Sequence, residues 1–334
     1  MEEHPSSAEA LSSFEAIRLR IIDALVECGI IRHESDIVAL TAIEDGFINH
    51  LFTLNLAGCE LIVKYAAPQS RKYRDLTVPA VRLRQEARAI DWVAKNIDRS
   101  CVPEILNHRD DIIIMRPIPA QYRALSILFS QGDLSVEVAR QLGAFLGRLH
   151  SISAANEKIR DAFSDISMLI EFKFRKIYDQ VASDFTVASE VDKLKEQLSR
   201  CRTCLVHGDF KADNIFIHDD RIMIIDWEQA HFGNPALDLS YAIHNLVMLS
   251  FVSEETRMKC SRFIRSFVEQ YLYSAGLDAK HYVEMVQKHI GVLVLFRIGE
   301  IERVPKGISN EAKLRLLAFG RALIEGRVPS PLPF

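Results

Sequence analysis

One stretch, residues 205–226, constrains the fold of this chain more than any other. It reads LVHGDFKADNIFIHDDRIMIID and contains two short aliphatic runs, at residues 215–217 and 222–225. The polar sequence His-Asp-Asp-Arg separates these runs, and this pattern is typical of a small β-hairpin. A hairpin of that length returns the chain to its start, so we expect Asp226 to lie beside Asn214.

The polar residues of this stretch have the side chains that phosphoryl transfer requires. Asn214 follows Asp209 by five residues, and Asp226 comes twelve residues later. Asn and Asp supply the hard oxygen ligands that Mg²⁺ prefers, and a further Asp can orient an attacking hydroxyl or take its proton. His207 completes the spacing H-x-D-x-x-x-x-N of kinase catalytic loops. Asp and Asn are common in turns, but the joint spacing predicts a kinase-type site with Asp209 as the catalytic residue and Asn214 and Asp226 as metal ligands.

The composition is typical of a globular enzyme. The chain has 334 residues, of which 49% are hydrophobic and 26% charged, and its formal net charge is −4. This length allows two domains and a large core. The absence of a basic stripe argues against nucleic-acid binding. We find neither a membrane-spanning apolar run nor a signal peptide, so we expect no membrane association and a cytoplasmic location. No sequence feature indicates an oligomeric state.

The N-terminal part predicts a helix over residues 7–29 and then short strands. The β-type segments lie at residues 37–43, 51–56 and 60–66. The turn after the first segment contains Gly46 and Asn49. In a kinase this turn would lie over the ATP phosphates, although a single Gly in a hairpin is otherwise an ordinary turn residue.

Lys64 lies within the apolar sequence LIVKYA. An ammonium group inside an apolar strand needs a polar partner, because an unpaired buried charge is strongly destabilising. Glu86, on the next predicted helix, is the candidate partner, and the ATP phosphates are the second. The alternative is an edge-strand lysine that discourages aggregation.

A stiff segment, Arg-Pro-Ile-Pro at residues 116–119, follows an apolar strand. Two prolines around one apolar residue favour an extended connector. We therefore expect the hinge between two lobes here, with backbone groups from Met115 to Ile118 facing adenine. The N-terminal lobe would comprise residues 1–117 and the C-terminal helical lobe residues 118–334.

Four residues are interpreted as positioning or substrate-contacting groups: His207, Glu228, Asp238 and Arg297. Glu228 fits a metal or substrate contact and an exposed loop acid equally well. Asp238 falls in the first turn of a predicted helix, where an acid is favourable and can hold the catalytic loop by hydrogen bonds. Arg297 lies among apolar residues and could line a substrate pocket, but pairing with Glu300 or Glu302 is favoured.

The sequences HGDFKADN and IIDWEQAHFGNPALDL resemble the aminoglycoside phosphotransferase and choline kinase superfamily, and the resemblance covers about residues 38–327. Within it, the stretches DGFIN, LIVKYAAPQSR and RIGEIE are most similar to methylthioribose kinases. The resemblance implies an α+β, bilobal protein-kinase-like fold, with a small β-rich N-lobe and a larger helical C-lobe, and the use of ATP and Mg²⁺. It implies a catalytic-base role for Asp209, metal binding by Asn214 and Asp226, and phosphate contact by Lys64 paired with Glu86.

We therefore expect an ATP-dependent kinase that phosphorylates a hydroxyl of a sugar-like small molecule. One alternative is an aminoglycoside or other antibiotic kinase, although no acidic cluster that would hold a polycation follows Trp227. A choline, ethanolamine or homoserine kinase is another. A nucleotide-binding pseudokinase is disfavoured because the site residues are intact. A protein kinase is disfavoured because Gly208 replaces the Arg of H-R-D.

Overall fold

The computed structural model describes residues 7–43, 48–66, 78, 82–154, 156–219, 221–276, 283–300 and 304–328. The chain forms two compact units. The first comprises Met1–Ala87 and Pro103–Ile118, and the second comprises Arg88–Val102 and Pro119–Phe334.

The first unit contains a five-stranded antiparallel sheet with the strand order β1-β2-β3-β5-β4. Its elements are α1 (Ser7–Glu27), β1 (Ile37–Ile43), β2 (His50–Leu56), β3 (Cys59–Tyr65), the start of α2 (Arg82–Val93), β4 (Ile105–His108) and β5 (Ile112–Met115). The three strands predicted before residue 67 are confirmed to within one residue at each end. β4 was not predicted.

Alternation along β3 determines which residues face which helix. Successive side chains of a strand point to opposite faces of the sheet. Leu61 and Val63 belong to an apolar cluster with Leu25 of α1, so α1 covers that face. Lys64, the next residue in the strand, therefore points to the opposite face, where Ile113 of the neighbouring strand packs against α2.

The second unit is mainly helical, in agreement with the predicted α+β class. Its helices are α3 (Leu125–Ser130), α4 (Val136–Ala154), α5 (Glu157–Ala162), α6 (Ser167–Leu169), α7 (Asp179–Ala182), α8 (Ala188–Arg200), α9 (Ala236–Leu249), α10 (Glu254–Ala275), α11 (Val283–Gly299) and α12 (Asn310–Ile324). A π-helical segment, Ile170–Tyr178, joins α6 to α7. Among the helices described, none is both long and apolar enough to cross a membrane.

Short strands surround the 205–226 stretch. The predicted hairpin is confirmed as β8 (Ile215–His218) and β9 (Arg221–Ile224), which pair antiparallel and extend a sheet that begins with β6 (Arg123–Ala124). β7 (Cys204–Val206) pairs with β10 (His231–Gly233). These last two strands were not predicted, because three residues are too few to establish a period.

The close packing of α4 on α10 supports the loop that follows β7. A Cβ at Gly143 of α4 would lie 2.3 Å from the carbonyl oxygen of Phe267 in α10, so only glycine allows this approach. Further along α4, the Nδ1 atom of His150 lies 3.0 Å from the hydroxyl of Tyr271 in α10. His150 is thus fixed from one side, and its other ring nitrogen faces Asp238, 3.2 Å away.

Candidate active site

Lys64 and Glu86 form a buried ion pair in the first unit. The Nζ atom lies 2.7 Å from Oε2, and the two side chains are only 7% and 3% exposed. Leu83 and Ala87 of α2 pack against Ile113, which is opposite Lys64 in the sheet. Glu86 adjoins Ala87, so the packing of α2 brings its carboxylate to the ammonium group. The pair expected from the sequence is present, and phosphate contact stays a prediction.

The side chain of Asn49 is held by an arginine that the sequence did not single out. Nε of Arg82 donates to Oδ1 of Asn49 at 2.9 Å, and both residues are buried. Arg84, two residues on, is instead partly exposed and pairs with Asp110. In the sequence, only its spacing of four residues from Glu86, which places both side chains on one face of α2, indicated that Arg82 could lie near the site. Gly46, predicted for the same turn, lies outside the described residues.

The predicted adenine-contacting segment begins at the end of β5. Met115 pairs with strands on both sides, β3 and β4. The N–H of Arg116 donates to the carbonyl of Glu104 at 2.9 Å, and the following proline has no N–H. An N–H contact to adenine would therefore come from Ile118, and this assignment stays a prediction.

Asp238 ties the HGD sequence to α9 in the second unit. Its Oδ2 accepts a hydrogen bond from the backbone N–H of His207 at 2.7 Å, and its Oδ1 accepts one from that of Gly208 at 2.9 Å. Burial raises the pKa of the Asp238 carboxyl, but hydrogen bonding and charge from His150 outweigh burial and lower the pKa. Asp238 is therefore a buried carboxylate that fixes the backbone just before Asp209.

Gly208 has a backbone conformation that other residues rarely adopt. Its φ is +82°, and a Cβ would lie 2.3 Å from the carbonyl oxygen of Gln229. The neighbouring His207 receives the N–H of Asp209 at Nδ1, at 3.2 Å. Its Nε2 lies 3.0 Å from the carbonyl of Ile225, so Nε2 carries the proton. His207 thus links the loop to the end of the hairpin.

Both carboxylate oxygens of Asp209 are engaged. Nζ of Lys173 lies 2.9 Å from Oδ1, and Nζ of Lys211 lies 2.7 Å from Oδ2. Nδ2 of Asn214 also donates to Oδ2, at 3.1 Å. Burial raises the pKa of Asp209, but the charges and hydrogen bonds of the two lysines outweigh burial and hold the pKa well below its ordinary value. Asp209 is therefore a fixed, ionised carboxylate.

Asn214 and Asp226 have donor groups that fit a divalent cation. The Nδ2 of Asn214 donates to Asp209, which leaves its Oδ1 as the ligand atom. The N–H of Ile225 donates to the Asn214 carbonyl at 3.0 Å, so the hairpin brings Asp226 beside Asn214, as expected. Asp226 has a left-handed backbone, with φ of +65°, and such strain is often found at functional sites. An amide oxygen and a carboxylate suit Mg²⁺.

The structure decides against one of the two interpretations of Glu228. Glu228 is 2% exposed, so the interpretation as an exposed loop acid is wrong. It lies in a single 3₁₀ turn, Trp227–Gln229, directly after Asp226. Contact with metal or substrate stays a prediction.

Arg297 pairs with a neighbour on its own segment. Its Nη1 lies 3.4 Å from Oε2 of Glu300, and its side chain is 12% exposed. This is one of the two pairings favoured from the sequence, and the other candidate, Glu302, lies outside the described residues. A long ion pair of this kind leaves the guanidinium with further donors.

Two lysines of the site were missed at the sequence level. Lys211 stands two residues after Asp209, and this proximity was the available signal. Lys173 is 36 residues away, between Phe172 and Phe174 in the π-helical segment. A lysine between two aromatic residues suggests burial, but its partner depends on long-range packing.

Comparison with known proteins identifies the relatives of this chain. Residues 39–279 match the model of the phosphotransferase enzyme family, abbreviated APH. The chain is 24% identical over 282 residues to 4-hydroxytryptamine kinase of Psilocybe cyanescens, a match that covers 74% of this chain and 76% of that protein. It is 28% identical over 167 residues to methylthioribose kinase of Geobacillus thermodenitrificans, covering 41% and 42% of the two chains.

Solved structures show the same fold. The structure of an amicoumacin kinase in complex with AMP-PNP, Ca²⁺ and Ami has a TM-score of 0.55 at 15% identity, over 90% of this chain and 91% of that one. This similarity supports the kinase-like architecture expected from the sequence. Because the family model spans well over half of the chain, the protein belongs to the phosphotransferase enzyme family, whose members act on hydroxyl groups of small molecules.

Proposed function

We propose that this protein transfers the γ-phosphoryl group of ATP to a hydroxyl group of a small, sugar-like metabolite. One observation carries the proposal: the carboxylate of Asp209 is buried, ionised and fixed on its loop, with Asn214 and Asp226 next to each other on the hairpin that follows. A fixed carboxylate beside two oxygen ligands is the arrangement that phosphoryl transfer to an alcohol needs.

Asp209 orients the attacking hydroxyl in this proposal. Because the lysines hold its pKa well below the ordinary value, Asp209 is a weak base and stays ionised at neutral pH. It accepts a hydrogen bond from the hydroxyl and aligns the oxygen, and it takes the proton only as the new bond to phosphorus forms. Positioning and electrostatic stabilisation supply most of the acceleration in such reactions.

Asn214 and Asp226 would hold Mg²⁺, and Lys64 would contact the ATP phosphates. Mg²⁺ bound there supplies neutralisation of phosphate charge. Glu86 fixes the Lys64 ammonium through their 2.7 Å ion pair, so the lysine presents its charge from a defined position. Asp238 keeps the loop in place through His207 and Gly208, and the N–H of Ile118 would contact adenine.

The relatives support a nucleotide and a small hydroxylated acceptor. The amicoumacin kinase structure holds AMP-PNP and Ca²⁺, and 4-hydroxytryptamine and methylthioribose kinases are named for small acceptors. The alternatives to a sugar kinase are those expected from the sequence, namely an antibiotic, choline, ethanolamine or homoserine kinase. The proposal includes the cytoplasmic location expected from the sequence, and no nucleic-acid or membrane partner.

A coupled assay of ADP release from Mg-ATP tests this proposal. The acceptor panel comprises methylthioribose, other pentoses and hexoses, choline, ethanolamine, homoserine, 4-hydroxytryptamine and several aminoglycosides. Asp209→Asn is the preferred inactive variant, because it removes the charge but keeps an oxygen that can accept a hydrogen bond from the buried Lys173 ammonium, which alanine would not. Asp219→Asn is the matched control, since Asp219 is an exposed acid in the turn after β8. ATP binding without any acceptor-stimulated release would favour a pseudokinase.

A further inference from the structure

The ammonium group of Lys173 fills the position where a cationic group of an acceptor would bind next to Asp209. Its Nζ lies 2.9 Å from Oδ1 of Asp209 and 4.1 Å from the centroid of the Tyr241 ring. A carboxylate together with an aromatic face is the kind of site that binds ammonium groups. Here a side chain of the protein itself occupies that site.

Lys173 is buried together with its charge. It is 3% exposed and lies in the π-helical segment Ile170–Tyr178, between two buried phenylalanines. A buried ammonium without a partner is strongly disfavoured, so the ion pair with Asp209 is retained. π-helical turns are frequently found at functional sites, and this one directs the lysine to the predicted catalytic residue.

A second lysine lies on the same carboxylate, and the charge of Arg297 acts on two neighbouring side chains. Lys211 contacts the other oxygen of Asp209 at 2.7 Å. The pKa of His244 is lowered to about 3, first by burial and then by the charge of Arg297. The charge of Arg297 also acts on Lys211. The charge of Arg297 therefore disfavours a further cation beside these two side chains.

Neither α9 nor α11 offers a free carboxylate to an amine. The only acid in α9 is Asp238, which is fully buried against the catalytic loop and His150. The only acid in α11 is Glu284, in its first turn, which pairs with Lys288 at 3.1 Å. A free carboxylate there would have given an amino-bearing acceptor a strong, charge-assisted hydrogen bond.

α9 instead presents uncharged hydrogen-bonding atoms. Within the residues that the structure describes, the hydroxyl of Tyr241 and Nε2 of His244 are buried and have no hydrogen-bond partner. Nδ1 of His244 lies 2.8 Å from the Tyr241 carbonyl, so Nδ1 carries the proton and Nε2 is a bare acceptor. Uncharged donors and acceptors of this kind match hydroxyl groups.

We propose that Lys173 is a specificity-determining residue, an internal cation that excludes amine-bearing acceptors, so that this kinase phosphorylates an uncharged or anionic polyhydroxy compound. The inference rests on the proposed function and narrows its acceptor class. Tyr241 and His244 supply hydrogen bonds to the neighbouring hydroxyl groups of that acceptor.

Acceptor pairs that differ in one charge test the inference. Glucose is compared with glucosamine, and 3,3-dimethylbutan-1-ol with choline, using kcat/KM from ADP release. For the wild type we expect the uncharged member of each pair to be favoured by at least about tenfold, because like charges in close contact are strongly repelled. Lys173→Met should reduce this ratio by about tenfold or more, and Lys173→Arg should retain it. A preference of the wild type for the amine, or an unchanged ratio in Lys173→Met, overturns the inference.

Thermal stabilisation by the same probes tests the inference without turnover. At millimolar concentration the uncharged members should raise Tm of the full chain. Tyr241→Phe should give a smaller Tm shift, corresponding to an affinity for the probe that is about three- to tenfold weaker. Tyr241→Phe itself should not lower Tm, since its hydroxyl has no partner in the described residues. Tyr178→Phe should lower Tm, because that hydroxyl lies 2.6 Å from His289.

These two assays keep the possible failures distinct. Absence of any acceptor-stimulated, Asp209-dependent ADP release contradicts the proposed function. Greater stabilisation by glucosamine or choline than by their uncharged partners, or no stabilisation by any uncharged probe, overturns the inferred acceptor class. Either result leaves the proposed kinase function unaffected.

Discussion

Replacement of Asp238 by Asn probes the support of the catalytic loop. The carboxylate accepts the N–H groups of His207 and Gly208, one on each oxygen, at 2.7 and 2.9 Å. Asn has the same shape but only one oxygen. One buried N–H must therefore face an NH₂ group, which is also a donor.

The free-energy change follows from these two contacts. An unsatisfied buried donor is destabilising by about 1–3 kcal/mol, and the remaining bond loses its charge assistance, worth about 1 kcal/mol. We expect Asp238→Asn to lower the free energy of unfolding by about 2–4 kcal/mol. Displacement of the loop should also lower kcat by about tenfold or more, because alignment of the reacting groups is lost, whereas KM for ATP should change little.

Urea unfolding followed by tryptophan fluorescence measures the stability change, since Trp227 is fully buried near the loop. The ADP-release assay measures kcat on the same preparations. Asp219→Asn is the control, because it removes an exposed acid from the same unit. If Asp238→Asn unfolds at the wild-type midpoint, or retains full kcat, the reasoning about the two backbone hydrogen bonds is refuted.

Three further predictions follow from buried groups. Lys64→Met and Glu86→Gln should each destabilise by about 3–5 kcal/mol, and the double variant by less than the sum; urea unfolding that gives strict additivity would contradict the pairing. Gly208→Ala should lower Tm and abolish detectable turnover, because its Cβ would lie 2.3 Å from a backbone carbonyl oxygen; a thermal melt and the ADP assay check this. Burial lowers the pKa of His244 and His289 to about 3, so the unfolded chain gains protons first. The contribution of the two histidines to the free energy of unfolding should therefore be complete above about pH 6.5 and fall by about 1.4 kcal/mol per histidine per pH unit on acidification. Urea titrations between about pH 6.5 and pH 3 measure this loss, and an unchanged free energy of unfolding would refute the prediction.

Local patterns were sufficient to predict the elements that carry most of the candidate site. The β8–β9 hairpin was predictable because two aliphatic runs around a polar turn have few alternative structures. The Lys64 and Glu86 pair was predictable because a lysine in an apolar strand requires a partner and the next helix offers an acid. In both cases the physical requirement lies within a short segment of sequence.

Long-range packing determined the features that the sequence did not indicate. Lys173 reaches Asp209 from a separate helical segment, and nothing within the sequence EFKFRKIY specifies that partner. The burial of Glu228 likewise depends on what surrounds its 3₁₀ turn. Arg82 and Arg84 are alike in sequence, yet only the orientation of α2 makes one buried and the other partly exposed.

The most direct test of the central claim is ADP release by the wild type and by Asp209→Asn, measured with Mg-ATP and the acceptor panel. We predict that at least one hydroxylated acceptor stimulates release by the wild type and that Asp209→Asn lowers the stimulated rate by about 10²-fold or more. Asp209→Asn should still fold, with a lower Tm because two lysines lose their buried counter-charge, whereas Asp219→Asn should keep Tm near the wild-type value. Substantial acceptor-stimulated release by a folded Asp209→Asn variant would contradict the assignment of Asp209 and, with it, the proposed mechanism.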